Sequence, residues 1–189
     1  MNVSTRAAAI AAGSLIGAAL LLSGAIVANS ATDSSVTASL NVLRDVQRPA
    51  DKLPAYVPLA LHGDTGLIAG SSRYLGAEPS VRYWTALDRS GSVCLVTVFP
   101  RTEYAASTCQ QPDDFLDGGV VLLVDDAAQN LHRQAFLVPD GALRSALPGG
   151  WTVVAPNLVT VAPDRVAGSI EVTLPGGTPL TLTTIPPAS

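Results

Sequence analysis

The residues of this chain whose types can do chemistry are few: two cysteines, two histidines and one cluster of aspartates. Cys94 and Cys109 stand 15 positions apart, within S-V-C-L-V-T-V-F-P-R-T-E-Y-A-A-S-T-C-Q. Catalytic dithiols favour C-x-x-C spacing, which polarises one thiol. Here an apolar, β-branched run and a polar turn at Pro100 separate the two, so the chain can fold back and bring the sulfurs together. A bridge closing a loop of that size stabilises by about 3 kcal/mol in the chain-entropy picture. The alternative is a pair of reduced core thiols, and the export signal described below argues against it, because disulfides persist outside the cytoplasm.

His62 is followed by Gly-Asp, which is turn composition, and His132 sits on an expected strand beside Arg133. A serine–histidine–aspartate site is a spatial arrangement that sequence order does not reveal. The chain has no G-x-S-x-G elbow to single out one serine, and no H-E-x-x-H, Walker loop or G-x-G-x-x-G. Two histidines and two cysteines match zinc in number, but their spacing fits no compact site and a disulfide would consume the thiolates. Asp113, Asp114, Asp117, Asp125 and Asp126 form the one dense charge cluster. They lack the alternating order of a calcium loop, so helix capping and turn formation account for them more simply. No metal and no cofactor are expected.

Tyr83 and Trp84 are adjacent on an expected strand and must point to opposite faces. One enters the core; the other faces out or lies under the N-terminal segment. An outward aromatic there, with Asp113 and Asp114, is the candidate contact surface.

These residues need elements to position them. The chain has 189 residues, 48% of them hydrophobic, enough for one domain with a core and a terminal segment. Net charge is −4 and Lys52 is the only lysine, so nucleic acid is excluded as a partner for want of a basic patch. Residues 7–28 are an uncharged apolar run of 22, long enough to cross a bilayer, with Arg6 before it and Asp33 as the first charge after it. That pattern puts the N-terminus in the cytoplasm and the rest outside. The run is a retained anchor or a cleaved signal peptide; its length favours the anchor, while Ala28-Asn29-Ser30-Ala31 offers a small-x-small cleavage site. Leu22-Ser23-Gly24-Ala25 resembles a lipoprotein box but has alanine where the lipidated cysteine would stand.

The expected organisation is therefore a cytoplasmic stub and span over residues 1–28, an extracytoplasmic tether and proline-rich segment over 29–71, and a β-rich domain over 72–189. Pro49, Pro54 and Pro58 forbid a long helix in the middle part, leaving one helical turn near Pro49. Short strands are expected at 73–77, 81–87, 92–99, 120–124, 131–138, 151–154, 158–161, 170–174 and 180–184, separated by turn residues. Residues 93–99 are apolar on both alternating faces, which suits a strand covered on both sides, and 120–124 reads as a central strand. Short helices are expected at 112–116 and 142–147. The fold class is mainly β: a single-span N-terminal membrane helix, then one disulfide-stapled, mostly antiparallel sheet domain with short helices.

Several stretches together resemble a set of small, uncharacterised actinobacterial proteins that are exported or membrane-anchored. They are the hydrophobic N-terminus, Gln47-Arg48-Pro49-Ala50-Asp51-Lys52-Leu53-Pro54, Arg82-Tyr83-Trp84-Thr85-Ala86, Gly91-Ser92-Val93-Cys94-Leu95-Val96 with Ser107-Thr108-Cys109, and Leu137-Val138-Pro139-Asp140-Gly141. The resemblance implies an envelope address and the disulfide, and no reaction. The expected function is a membrane-tethered, non-catalytic module outside the cell membrane, touching another envelope protein or the cell wall. The alternative is an envelope hydrolase with a dispersed Ser/His/Asp-type site, or, if the signal is cleaved, a secreted protein.

Overall fold

A computed structural model describes residues 36–57, 66–126, 131–143 and 146–186. Among the described residues ten strands alternate with short turns, and all their pairing is antiparallel. Strands β1 (Arg73–Glu78), β2 (Val81–Leu87), β3 (Val93–Phe99) and β4 (Tyr104–Gln110) form one four-stranded sheet in chain order. Strands β5 (Val120–Asp126), β6 (Leu131–Leu137), β7 (Trp151–Ala155) and β8 (Leu158–Val161) form a second, ordered β5-β6-β8-β7. Strands β9 (Ser169–Thr173) and β10 (Pro179–Thr183) make a separate two-stranded ribbon. The mainly β, antiparallel class expected from the turn spacing is what the chain adopts, divided among three sheets.

The two large sheets pack face to face. Alternation in β3 explains how: Val93, Leu95 and Phe99 enter the inter-sheet core, while Val96 and Val98 point to the other face. All seven residues of β3 are buried. The second sheet supplies Val120, Leu122, Val124, Ala135, Leu137 and Leu158 to the same core. Helix α1 (Pro112–Gly118) links the sheets and inserts Phe115, which is fully buried. Removing a side chain of that size from water stabilises by roughly 1.5–3 kcal/mol.

Each sheet is covered over part of its outer face as well. Leu53, Tyr56 and Val57 lie over Trp84, Val96 and Val98 of the first. The β9–β10 ribbon lays Ile170, Val172 and Leu182 over Phe136, Val159 and Val161 of the second. Buried Gln134 fastens that ribbon, donating to the Thr183 carbonyl and accepting from the Ile185 amide.

Where β1 crosses β7, both strands carry an irregularity of register, after Tyr74 and after Val153. A Cβ on Gly76 would lie 2.7 Å from Val154 Cγ1 and 3.1 Å from its carbonyl oxygen, so only glycine permits the approach.

Two expectations need correction. The run 120–124 is not central: β5 is an edge strand, with Val120, Leu122 and Val124 inward and Val121 and Leu123 exposed. Its continuous apolarity reflects one covered face and one bare one. No helix forms over 142–147: Ala142, Leu143, Ala146 and Leu147 are non-helical, and residues 144–145 lie outside the described residues. Residues 36–57 are packed onto the domain, with Val36 and Leu40 buried in the inter-sheet core. The helical turn expected near Pro49 is present as a 3-10 turn, Pro49–Asp51. No helix among the described residues is long and apolar enough to cross a membrane; the run 7–28 lies outside them.

Candidate functional site

Cys94 on β3 faces Cys109 on β4 directly across the ladder, and the two are bonded. Their Cα atoms are 4.0 Å apart, closer than the 4.4–6.8 Å common to disulfides, because the cysteines are directly opposed on adjacent antiparallel strands. Cys94 is fully buried. Asp88 lies close to both sulfurs, but bonded cysteines offer no thiolate, so the three do not make a metal site. Asp88 is instead the hub of the β2–β3 turn. Its Oδ1 accepts the Ser90 amide and hydroxyl and the Ser92 amide, at 2.7–2.9 Å. Burial works to raise its pKa, and these bonds outweigh that and hold it below the usual carboxylate value.

Tyr83 and Trp84 point to opposite faces as strand geometry requires, yet both are buried. The contact surface expected from them is therefore not formed by these side chains. Tyr83 enters the inter-sheet core and donates its hydroxyl to Glu78 at 2.5 Å. Burial, then the neighbouring Glu78 carboxylate, pushes its pKa far above the ordinary tyrosine value. Glu78 also lies 3.4 Å from Arg133 Nε, a distance of ionic attraction without hydrogen-bond alignment, since that nitrogen has no hydrogen-bond partner. Tyr83, Glu78 and Arg133 thus link β2, β1 and β6 at one end of the core. Trp84 lies under the N-terminal segment, edge-on to Tyr74 with ring centroids 5.1 Å apart.

The aspartates do not converge. Asp113 and Asp114 are exposed in the first turn of α1, where carboxylates suit the positive helix end, and Asp117 follows on the same short helix. Asp125 is near the far end of β5, opposite His132 on β6. His132 Nδ1 lies 2.7 Å from Asp125 Oδ1, with 27% and 51% of the side chains exposed. A carboxylate in that position orients an imidazole and leaves its Nε2 free to face a substrate, which is two-thirds of a hydrolytic triad. No hydroxyl is brought to the ring by any hydrogen bond described for His132. His62 lies outside the described residues.

Sequence reasoning missed the polar residues that tie the N-terminal segment down. The Gln47 side chain donates to the Ala69 carbonyl at 2.7 Å and to the Ser72 hydroxyl at 2.8 Å. Asp51 accepts the Arg48 amide at 2.7 Å and the Tyr74 amide at 3.1 Å. Buried Arg73 gives its guanidinium to the carbonyls of Asp45, Gly70 and Ser72. The stretch 47–54 is thereby a strap fastened to the start of β1. Asp140 does the same from the other sheet, bonding the Asn41 amide at 2.6 Å and Asn157 Nδ2 at 2.9 Å.

A cleft of about 630 Å³ lies between Ala142, Leu143, Ala146, Leu147 and Pro148 on one side and the β9–β10 hairpin on the other, and among the described residues Glu171 is the titratable one lining it. A cleft of about 370 Å³ opens beside the strap, lined by Gln47, Lys52, Leu53, Leu67 and Arg89 among others. Neither contains His132. No protein family, curated protein or solved structure matches this chain.

Proposed function

We propose that this protein is an extracytoplasmic module, held to the cell membrane by a single span over residues 7–28, that works by contact rather than turnover. The observation that carries this reading is the Cys94–Cys109 bridge, in a chain that also has one long uncharged apolar run near its N-terminus. A bridge of that kind persists in an oxidising compartment. The contact half rests on where the polar residues went: Gln47, Asp51, Arg73, Asp88, Gln134 and Asp140 are engaged in holding segments together. Asp113, Asp114, Val121, Leu123 and Val153 are left exposed for a partner in the envelope or for the wall.

Intact cells expressing the chain with a C-terminal tag test the first half. Protease added outside should destroy the tagged domain and leave a membrane-bound N-terminal fragment. Retention of the tag, or a new N-terminus near Ala31, ends the anchored reading. In-cell crosslinking from Asp113 or Val121 tests the second half.

The His132–Asp125 pair supports one other reading, an envelope hydrolase in which His132 is the general base. Hydrolase profiling separates the two. Turnover abolished by His132→Ala, with the fold intact, establishes the hydrolase and removes the contact module.

A further inference from the structure

We infer that the edge of the domain carrying Val46 and Ile68 lies on an anionic lipid surface. The inference rests on the reading of residues 7–28 as a retained span, and two independent features lead to it.

The first is the reach of the chain. Val36 is 1% exposed within the inter-sheet core, so the chain is fixed to the domain by that point, and only residues 29–35 separate it from Ala28. Fully extended, that stretch reaches at most about 28 Å, comparable to the domain's own strand length of about 20 Å. The domain cannot swing far from the bilayer. The end where residues 36–45 pack is the end nearest the lipid. It is the end where β1 begins and β2 finishes, because Asp45 binds Arg73 and Ile68 bonds Leu87.

The second is what that end displays. Val46 is 86% exposed and Ile68 44%, and the side chain of Gln47 bonding Ala69 makes the two stretches neighbours. Exposed cations surround them: Arg44 and Arg48 flank Val46 in sequence, and Lys52 and Arg89 line the adjoining cleft. Among the described residues there, Asp45 is the exposed carboxylate; Asp51 and Asp88 are occupied by backbone amides. Exposed aliphatic side chains ringed by Arg and Lys suit the headgroup boundary, where apolar tips enter and cations meet lipid phosphates. The acidic helix α1 follows β4 at this same end of the sheet but on the opposite edge, so the domain leans with its basic edge down.

The test uses the full chain in vesicles of phosphatidylcholine, with or without phosphatidylglycerol, carrying an environment-sensitive fluorophore on Val46→Cys or on Arg101→Cys. Both positions are exposed and the native cysteines are bonded, so the new thiol alone takes the label. Flotation is read first. In floating protein, the label at 46 should move to an apolar environment and be quenched by headgroup nitroxides, more with phosphatidylglycerol than without, while the label at 101 stays in water. Charge reversal of Arg48, Lys52 and Arg89 to Glu should weaken the anionic-lipid preference by about fivefold or more per position. Floating protein with both labels equally in water overturns the lipid surface and leaves the anchor standing. Equal shielding with and without phosphatidylglycerol overturns the anionic assignment. Protein that does not float overturns the anchor and the inference with it.

Discussion

Asp140 accepts the backbone amide of Asn41 at 2.6 Å, across 99 positions of sequence. The same carboxylate takes Asn157 Nδ2 at 2.9 Å, and the Asp140 amide donates to the Ser39 carbonyl. One side chain therefore joins the N-terminal segment, the crossover after β6 and the β7–β8 turn. Hydrogen bonds to a charged group contribute about 1.5–3 kcal/mol, less where water reaches them, as it does here. Asp140→Ala should cost about 2 kcal/mol in urea unfolding, and Asp140→Asn about half that. A loss within ~0.5 kcal/mol of zero would show the strap to be held by Val36 and Leu40 alone.

The Cys94–Cys109 bridge lies across an antiparallel pair whose register runs unbroken from Val93 to Phe99. Its stabilisation is thus chiefly the loss of freedom in the unfolded chain. Cys94→Ala/Cys109→Ala should lower stability by about 3 kcal/mol and leave the sheet intact by circular dichroism. A double variant lacking β structure would show that the bridge sets the register instead of locking it.

Much of this was legible in the sequence, and the illegible parts have physical causes. The apolar, β-branched run of β3 and the Asp88–Gly91 turn, where Gly91 takes φ 82°, announce the β2–β3 hairpin. The disulfide could be read from spacing and the export signal. Strand order could not, because β8 enters between β6 and β7, and the intervening residues 138–150 carry no periodicity that dictates the crossing. For Trp84 the sequence leaves two outcomes, facing out or lying under the N-terminal segment, and the second holds. A period of two tells which face a side chain takes, and the face was bare until Leu53, Tyr56 and Val57 folded across it. The strap is fastened by side chains bonding backbone groups, which leave no hydrophobic pattern.

Tyr83 predicts the alkaline behaviour. Its folded pKa is raised, so its contribution is complete below the unfolded value of about 10 and is lost as pH rises beyond it. In the folded protein the phenol stays neutral while the unfolded chain ionises, so stability should fall by about 1.4 kcal/mol per pH unit above that point. Tyr83→Phe should remove this slope. Absorbance of tyrosinate should rise in a step at unfolding; a smooth titration of all four tyrosines in folded protein would contradict the burial of the hydroxyl.

Asp88 governs the acid side with the opposite sign. Its folded pKa is lowered, so its contribution is present above the unfolded carboxylate value of about 3.9 and is lost as pH falls through the folded one. Asp88→Asn, which keeps the shape and removes the charge, should flatten the stability profile below about pH 4. An unchanged acid limb would assign that limb to other carboxylates.

Gly118 and Gly119, adjacent at the end of α1, should respond in opposite ways to the same substitution. Gly119 caps the helix at φ 68°, its amide returning to the Phe115 carbonyl, and turns the chain into β5. A Cβ there would lie 2.5 Å from the Leu137 carbonyl oxygen, and backbone cannot yield as a flexible side chain can. Left-handed strain and that clash together make Gly119→Ala cost about 2–3 kcal/mol. Gly118 has nothing within 4 Å of its own Cβ position and is the last helical residue. Gly118→Ala should be neutral or stabilise by up to about 1 kcal/mol, because alanine loses less backbone freedom on entering a helix. Thermal melts of the two variants decide it: equal shifts would mean that α1 does not end in the left-handed cap that aims β5 into the second sheet.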